Sequence, residues 1–275
     1  MDFFIIVEKL ILLAQEEFSM DRLTGKVAIV TGGASGLGKE SATLMVREGA
    51  RVVITDINSE AGMALAEDLG PNAVFVHHDV SKEVEWVKVI ADTEKRFGRL
   101  DVLVNNAGVV VLADVENTTE EQWRFAHSVG TDGTFYGCKH AIAAMRRAGG
   151  GSIINMSSLA GIRGYPAIFA YSASKGAIAA MSKSVAVYCA QQKLRIRCNS
   201  VHPGIIRTPL VEAFQKNMRE AMGAEELPFD KASQGRPDDV GWMVVYLASD
   251  ESKHVNGAEM VIDNSASVTE GFVPA

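Results

Sequence analysis

The 275-residue sequence predicts a single α/β domain on a doubly wound parallel sheet of about seven strands, flanked by helices. Three observations point there. Apolar runs rich in Val, Ile and Leu recur at 26–31, 51–56, 73–78, 100–105, 152–157, 195–201 and 259–263, with little polar alternation, which marks strands buried on both faces. Stretches that read as helix lie between them at 36–48, 59–69, 82–97, 119–147 (broken), 171–190 and 237–249. A glycine-rich turn separates the first strand from the first helix. The β-α-β-α alternation implies right-handed crossovers.

The first strand, Lys26-Val27-Ala28-Ile29-Val30, runs into Thr31-Gly32-Gly33-Ala34-Ser35-Gly36-Leu37-Gly38, and a helix continues from Lys39. Glycines at such a turn let the backbone approach a diphosphate, and the helix N-terminus adds free N–H groups and the positive end of a dipole. Gly32, Ser35, Gly36, Leu37 and Gly38 are therefore candidate cofactor-binding residues of a Rossmann-type site. The spacing is Gly-x-x-x-Gly-x-Gly rather than the Gly-x-Gly-x-x-Gly of the dinucleotide fingerprint, and taken alone it also reads as a plain tight turn. The second strand, Arg51-Val52-Val53-Ile54-Thr55, ends in Asp56, 18 residues beyond Gly38. An aspartate there accepts both hydroxyls of an adenine ribose and repels a 2′-phosphate. Neither Ser35 nor Ile57 supplies a compensating cation, and Lys39 lies inside the helix. The expected cofactor is NAD rather than NADP, with Asp56 and Ile57 at the adenosine end. Without the loop upstream, Asp56 is only a strand-end turn residue before Asn58-Ser59.

A composition of 47% hydrophobic and 22% charged residues suits a globular chain with a sizeable core. A net charge of −7, with the basic residues scattered, argues against nucleic acid or an anionic membrane as partner. Cys138, Cys189 and Cys198 form no CxxC pair, which suits buried thiols in a reducing, cytoplasmic setting. The six histidines show no metal spacing, and adjacent His77 and His78 at a strand end face opposite ways, so no metal is expected. Residues 1–20 form an extension ahead of a domain at 21–275. Their apolar stretch carries Glu8 and Lys9, is too short to span a bilayer, and lacks the flanks of a secretory signal. It reads either as an amphipathic docking helix or as a segment ahead of a working start at Met20. Thr208 to Arg236 breaks the alternation and reads as a substrate loop, about 208–236.

The chemistry concentrates in two places. Tyr171-Ser172-Ala173-Ser174-Lys175 opens a helix and sets Tyr171 and Lys175 at i and i+4, on one face. Ser158 closes the strand Ile153-Ile154-Asn155-Met156-Ser157, 13 residues before Tyr171. A Tyr-x-x-x-Lys pair alone is an ordinary helix-surface pattern; with a phosphate turn and a strand-end serine it becomes a catalytic constellation. Removing the proton of a secondary alcohol needs a base, and a free tyrosine with a pKa near 10 is a poor one. A nearby ammonium and a positive nicotinamide ring are expected to lower that pKa. Ser158, Tyr171 and Lys175 are the candidate catalytic residues.

With these residues in hand, the chain resembles the short-chain dehydrogenase/reductase family from about Leu23 to Asp263. The matching motifs are Thr31-Gly32-x-x-x-Gly36-x-Gly38, Asp79-Val80, Asn105-Asn106-Ala107-Gly108, Ser158, Tyr171-x-x-x-Lys175 and Pro203-Gly204. The resemblance implies that Asp79 and Val80 contact the adenine and that Asn106, Ala107 and Gly108 line the adenosine side. Pro203, Gly204, Ile206 and Thr208 would cover the nicotinamide. It further implies Ser158 as binder of the substrate oxygen, Tyr171 as acid/base, and Lys175 as ribose clamp and pKa modulator. Family members are commonly homotetramers, a homodimer being the alternative here, built on long paired helices that correspond to 119–147 and 171–190.

Two positions depart from the family pattern. Gly130 stands seven residues after Trp123, where an asparagine is usual, and Asp263-Asn264-Ser265 stands where Asp-Gly-Gly is usual. The expectation at Gly130 is that its main-chain carbonyl still anchors a relay water and that Gly130→Asn preserves or raises turnover. The expected pocket walls are Val109 to Leu112, Leu159, Ile162, Tyr165, Ile168, Ile205, Leu210, Phe214 and Met218, with Arg163 and Arg207 the nearest cations. So apolar a pocket suits an alicyclic, aromatic or steroid-like alcohol or ketone, in the manner of bacterial alicyclic-alcohol and hydroxysteroid dehydrogenases. The alternatives are an NADPH-type ketone reductase and an NAD-binding protein without catalysis.

Overall fold

The computed structural model describes residues 21–227 and 233–269. Seven parallel strands form one sheet: β1 (Val27–Thr31), β2 (Arg51–Asp56), β3 (Ala73–His77), β4 (Val102–Asn105), β5 (Gly151–Met156), β6 (Ile196–Pro203) and β7 (Glu259–Ile262). Their order is β3-β2-β1-β4-β5-β6-β7, so the chain winds outward from β1 in both directions. The expected fold class holds. Adjacent strand residues enter different cores, as a period of two requires. Ala28 and Val30 of β1, with Val102 and Val104 of β4, face one core, while Ile29 and Leu103 face the other. The first core is closed by α1 (Gly36–Arg47) and α8 (Pro237–Ala248), the second by α3 (Glu83–Phe97), α5 (Gly133–Ala148) and α6 (Phe169–Gln191). Between β2 and β3 lies α2 (Ser59–Leu69), capped by the Asn58 side chain on the Ala61 N–H.

The predicted break in 119–147 is a π turn. Helix α4 (Glu120–His127) runs into a π-helical segment, Ser128–Asp132, before α5. Such bulges recur at functional sites, and Gly130 lies in its middle. The stretch at 208–236 is not only loop: α7 (Pro209–Met222) starts at Thr208, whose hydroxyl accepts from the Val211 N–H. The expectations for residues 1–20 lie outside the described residues. Among the described residues, no helix is long and apolar enough to cross a membrane.

The crevice that positions a ligand follows from the strand order. Connections leave β1 and β4 in opposite directions, so the carboxyl ends of these neighbours border an open switch point. Asn106 ties the two ends together. Its side-chain amide donates to the carbonyls of Thr31 (2.9 Å) and Gly32 (3.1 Å), and its N–H donates to the Thr31 hydroxyl (3.0 Å).

Candidate active site

The turn after β1 is shaped around close backbone contacts. A Cβ on Gly38 would lie 2.2 Å from the Gly32 carbonyl oxygen, and one on Gly32, which has φ +60°, 2.8 Å from the Ala107 Cα. Only glycine permits this approach of helix to turn. Ser35 is the N-cap of α1, yet its side chain makes no capping hydrogen bond, so the first-turn N–H groups are left for a ligand. This cradle fits the diphosphate of a dinucleotide.

A cavity of about 290 Å³ extends from the cradle. It gathers Gly32, Ser35, Gly36, Leu37, Asn106, Ala107, Gly108, Ser158, Tyr171, Lys175, Pro203, Gly204, Ile206 and Thr208, each expected from the sequence. Gly38, Asp56, Ile57, Asp79 and Val80 do not line it. Gly38 lies behind the turn. Asp56 closes β2 beside it, its carboxylate accepting from the N–H groups of Ala34 (3.1 Å) and Asn58 (2.9 Å), with Ile57 exposed next to it. Asp79 turns inward on its own loop, where its carboxylate takes the Ser81 hydroxyl (2.6 Å) and N–H (3.0 Å) and lies 3.2 Å from Lys82. Partial burial raises the Asp79 pKa, but the Ser81 bonds and Lys82 outweigh it and hold the carboxyl below its ordinary value. Val80 is buried, and its carbonyl accepts the Trp86 indole N–H at 2.9 Å. Met156, Ser157, Pro209 and Val211 line the cavity without having been singled out as ligand residues; as the residues flanking Ser158 and following Thr208, they follow from where β5 and β6 end.

A second cavity, of about 350 Å³, shares the wall formed by Ser158, Tyr171, Pro203 and Gly204. The expected walls Val110, Leu159, Tyr165, Ile168, Ile205, Leu210, Phe214 and Met218 are all there. Val109, Val111, Leu112 and Ile162 are not. The stretch 109–112 is half-buried and outside regular secondary structure, and Ile162 points to solvent at 41% exposure. Helix α7 adds Val211 and Met222, so its apolar side roofs the pocket. Of the two nearby cations, Arg163 donates to the Ala266 carbonyl and Arg207 is exposed, and neither lines the cavity.

The three catalytic candidates converge where the cavities meet. Ser158 ends the β5 connection in extended backbone, its hydroxyl accepting from the Ala160 N–H at 3.1 Å. Tyr171 and Lys175 project from the first turns of α6. The Lys175 ammonium donates to the Met156 carbonyl at 2.7 Å and lies 5.5 Å from the Tyr171 ring centroid. Burial sets the leading electrostatic influence on both groups. Burial raises the Tyr171 pKa above the ordinary phenol value, and the Ser158 hydroxyl only partly opposes this. Burial also lowers Lys175 to about 8, which still leaves the ammonium mostly charged at neutral pH.

A Cβ on Gly130 would meet the Ser174 hydroxyl oxygen at 2.2 Å, so the space belongs to Ser174. The Thr131 hydroxyl donates to Ser174 at 3.2 Å and lies 3.0 Å from His127 Nδ1. At the second departure, Asn264 and Ser265 have φ +46° and +65°. Glycines are easy to accommodate in that conformation.

The family model described as enoyl-(acyl carrier protein) reductase matches residues 32–265. The chain is 47% identical over 251 residues to the NADP-dependent (R)-specific alcohol dehydrogenase of Lentilactobacillus kefiri, covering 88% of this chain and 97% of that protein. It is 42% identical to the 3-beta-hydroxysteroid dehydrogenase of Comamonas testosteroni, with 89% and 97% covered. To the cyclopentanol dehydrogenase of a Comamonas species it is 39% identical, with 89% and 98% covered.

Proposed function

The chain belongs to the short-chain dehydrogenase/reductase family, and from that premise we propose that it interconverts a secondary alcohol and its ketone on an apolar, alicyclic, aromatic or steroid-like substrate, with NAD as cofactor. One observation carries the reading: Ser158 and Tyr171 line both the glycine-cradled cavity and the apolar one. A substrate oxygen held in the apolar cavity therefore sits against the two hydroxyls, with its carbon toward the other cavity. The nicotinamide, when bound, supplies the hydride chemistry. The chain's own residues do the rest. Ser158 holds the substrate oxygen, and Tyr171 gives a proton to a ketone oxygen or takes one from the alcohol. Lys175 is placed to hold the ribose, and α7 excludes water. Burial favours the phenol form of Tyr171, the form required for ketone reduction; oxidation needs phenolate and gains as pH rises.

Asp56 supports NAD as the preferred cofactor. Two backbone N–H groups orient its carboxylate beside the turn, and the exposed residue that follows is Ile57, not a cation. The NADP dependence in the name of the Lentilactobacillus relative makes this the point to test. Turnover across a panel of secondary alcohols is measured with NAD and NADP, alongside the affinity for each. The expected result is oxidation of alicyclic alcohols with NAD bound more tightly. Equal affinities refute the reading of Asp56; NAD binding without turnover across the panel refutes the enzymatic reading in favour of a non-catalytic binder. The proposed assembly is a homotetramer, supported by Phe135 on α5 and by Val187 and Tyr188 on α6, all about half exposed; light scattering that finds a monomer refutes it.

A further inference from the structure

We infer that His202 is a positioning residue for the reaction proposed above: its imidazole clamps the Ser158 main chain and thereby aims the Ser158 hydroxyl at the substrate oxygen. The inference rests on that reading for its chemistry, and on its own geometry for the clamp. His202 is fully buried on β6, directly before Pro203. Its Nδ1 lies 3.1 Å from the Ser158 carbonyl oxygen and its Nε2 lies 2.8 Å from the Ser200 hydroxyl. A carbonyl only accepts, so Nδ1 carries the proton, and Nε2 then accepts from the Ser200 hydroxyl. Burial, the leading influence, holds the His202 pKa below its ordinary value and keeps the ring neutral. Ser158 and Glu259 oppose that shift, and Lys183 and Lys175 reinforce it.

The backbone explains why a side chain is needed. The β5–β6 ladder reaches the Ser157 N–H, which donates to the Val201 carbonyl at 2.8 Å. Pro203 has no N–H with which to extend it. Where main-chain pairing stops, the His202 ring reaches across to Ser158. Its neighbours are already secured. Lys175 donates to the Met156 carbonyl and the Ser157 hydroxyl donates to the Lys175 carbonyl, at 2.7 and 2.8 Å. The Gly161 N–H is the second donor to the Ser158 carbonyl, at 2.9 Å, but it belongs to the turn Ser158 itself begins. His202 is the bond that ties that turn to the sheet.

Two amide substitutions separate the clamp from simple packing. In His202→Asn the amide nitrogen falls near the Nδ1 position and can still donate to Ser158. In His202→Gln it falls near the Nε2 position, facing Ser200. The expected result is that His202→Gln and His202→Ala lose about tenfold to a hundredfold in kcat, the scale of a misplaced reacting group. NAD affinity stays near wild type, and His202→Asn recovers most of the loss. Equal turnover in the Asn and Gln variants, or a loss confined to KM or to NAD affinity, overturns the inference. A histidine ¹⁵N spectrum of the wild-type protein, which needs no turnover and no variant to fold, gives a second decision. A pyrrole-type Nδ1 supports the clamp and the Nε2–H tautomer overturns it. Wild-type protein that turns over no alcohol sinks the proposed function, while the ¹⁵N result still decides the clamp.

Discussion

The substitution Gly130→Ala tests how the site accommodates its departure from the family pattern. The added Cβ would lie 2.2 Å from the Ser174 hydroxyl oxygen but 3.5 Å from the Ser174 Cβ, an ordinary van der Waals distance. The clash is therefore with one atom. Ser174 is only 2% exposed, and its hydroxyl takes the Thr131 bond, so rotating it away forfeits that bond and disturbs the residue next to Lys175. Overpacking of this kind costs ~1–3 kcal/mol, and replacing a helical glycine returns ~0.5–1 kcal/mol, leaving a net loss of about 1 kcal/mol. Ser174→Ala alone costs about 1 kcal/mol for the lost hydrogen bond. In the double variant the clash is gone while the helix gain remains, so it should be at least as stable as either single variant. Urea titrations of the four proteins give the coupling, expected to exceed ~1 kcal/mol; melting should fall by roughly 2–4 °C for Gly130→Ala. Additive effects, or a Gly130→Ala variant as stable as wild type, refute the assignment of this space to Ser174. The same geometry reverses the expectation for Gly130→Asn: its turnover should fall unless Ser174 is also reduced to alanine.

Three further outcomes follow from the site. Tyr171→Phe keeps the ring and removes the transferable proton, so turnover should drop by about 10²-fold or more with NAD affinity retained; a variant with most of its activity excludes Tyr171 as the acid/base. Lys175 has a folded-state pKa of about 8, below the ordinary lysine value of 10.5, so the folded state binds fewer protons between these values and stability should rise with pH across that window. Lys175→Met should remove that slope and, below pH 8, melt higher than wild type while losing activity; an unchanged slope contradicts the burial of this ammonium. Ser265→Gly relieves a left-handed backbone at φ +65° and should stabilise by about 1 kcal/mol, seen as a melting increase, whereas a decrease shows that the serine side chain contributes more than the strain costs.

The sheet was legible because strands such as β1, β2 and β4 are apolar on consecutive positions, a pattern that a sheet covered on both sides requires. The ends were less legible, for local reasons. β6 runs to Pro203 rather than stopping near Val201 because proline needs no donor at the end of a ladder, and α6 begins at Phe169, two residues ahead of Tyr171. Ser158, Tyr171, Lys175 and most of the cradle could be placed from spacing, since i and i+4 on a helix and the carboxyl ends of β1 and β4 are fixed by regular geometry. Asp79 and Val80 could not. Sequence places them at the end of a strand, but only the structure shows the Asp79 carboxylate bonded to Ser81 and Lys82 and the Val80 carbonyl to Trp86. The role of Ser174 at Gly130 was equally hidden, because the contact joins residues 44 positions apart through a π turn that no periodicity announces.

The largest gap between pattern and structure is electrostatic. Proximity of a lysine to a tyrosine suggests a lowered phenol pKa, and that inference holds only while the lysine is charged and solvent does not dominate the comparison. Here each group is pushed toward its neutral form: Tyr171 upward, Lys175 down to about 8. At neutral pH Lys175 still carries most of its charge, and burial is nevertheless the leading influence on Tyr171. Tyr171 is thus held as a phenol against Ser158, and Lys175 is held by the Met156 carbonyl beside the tyrosine ring. Base strength for the oxidative direction must come from positive charge delivered to the cavity or from a rise in pH. A spacing of four positions therefore brings Tyr171 and Lys175 to one place, while the depth at which the fold buries them raises one pKa and lowers the other.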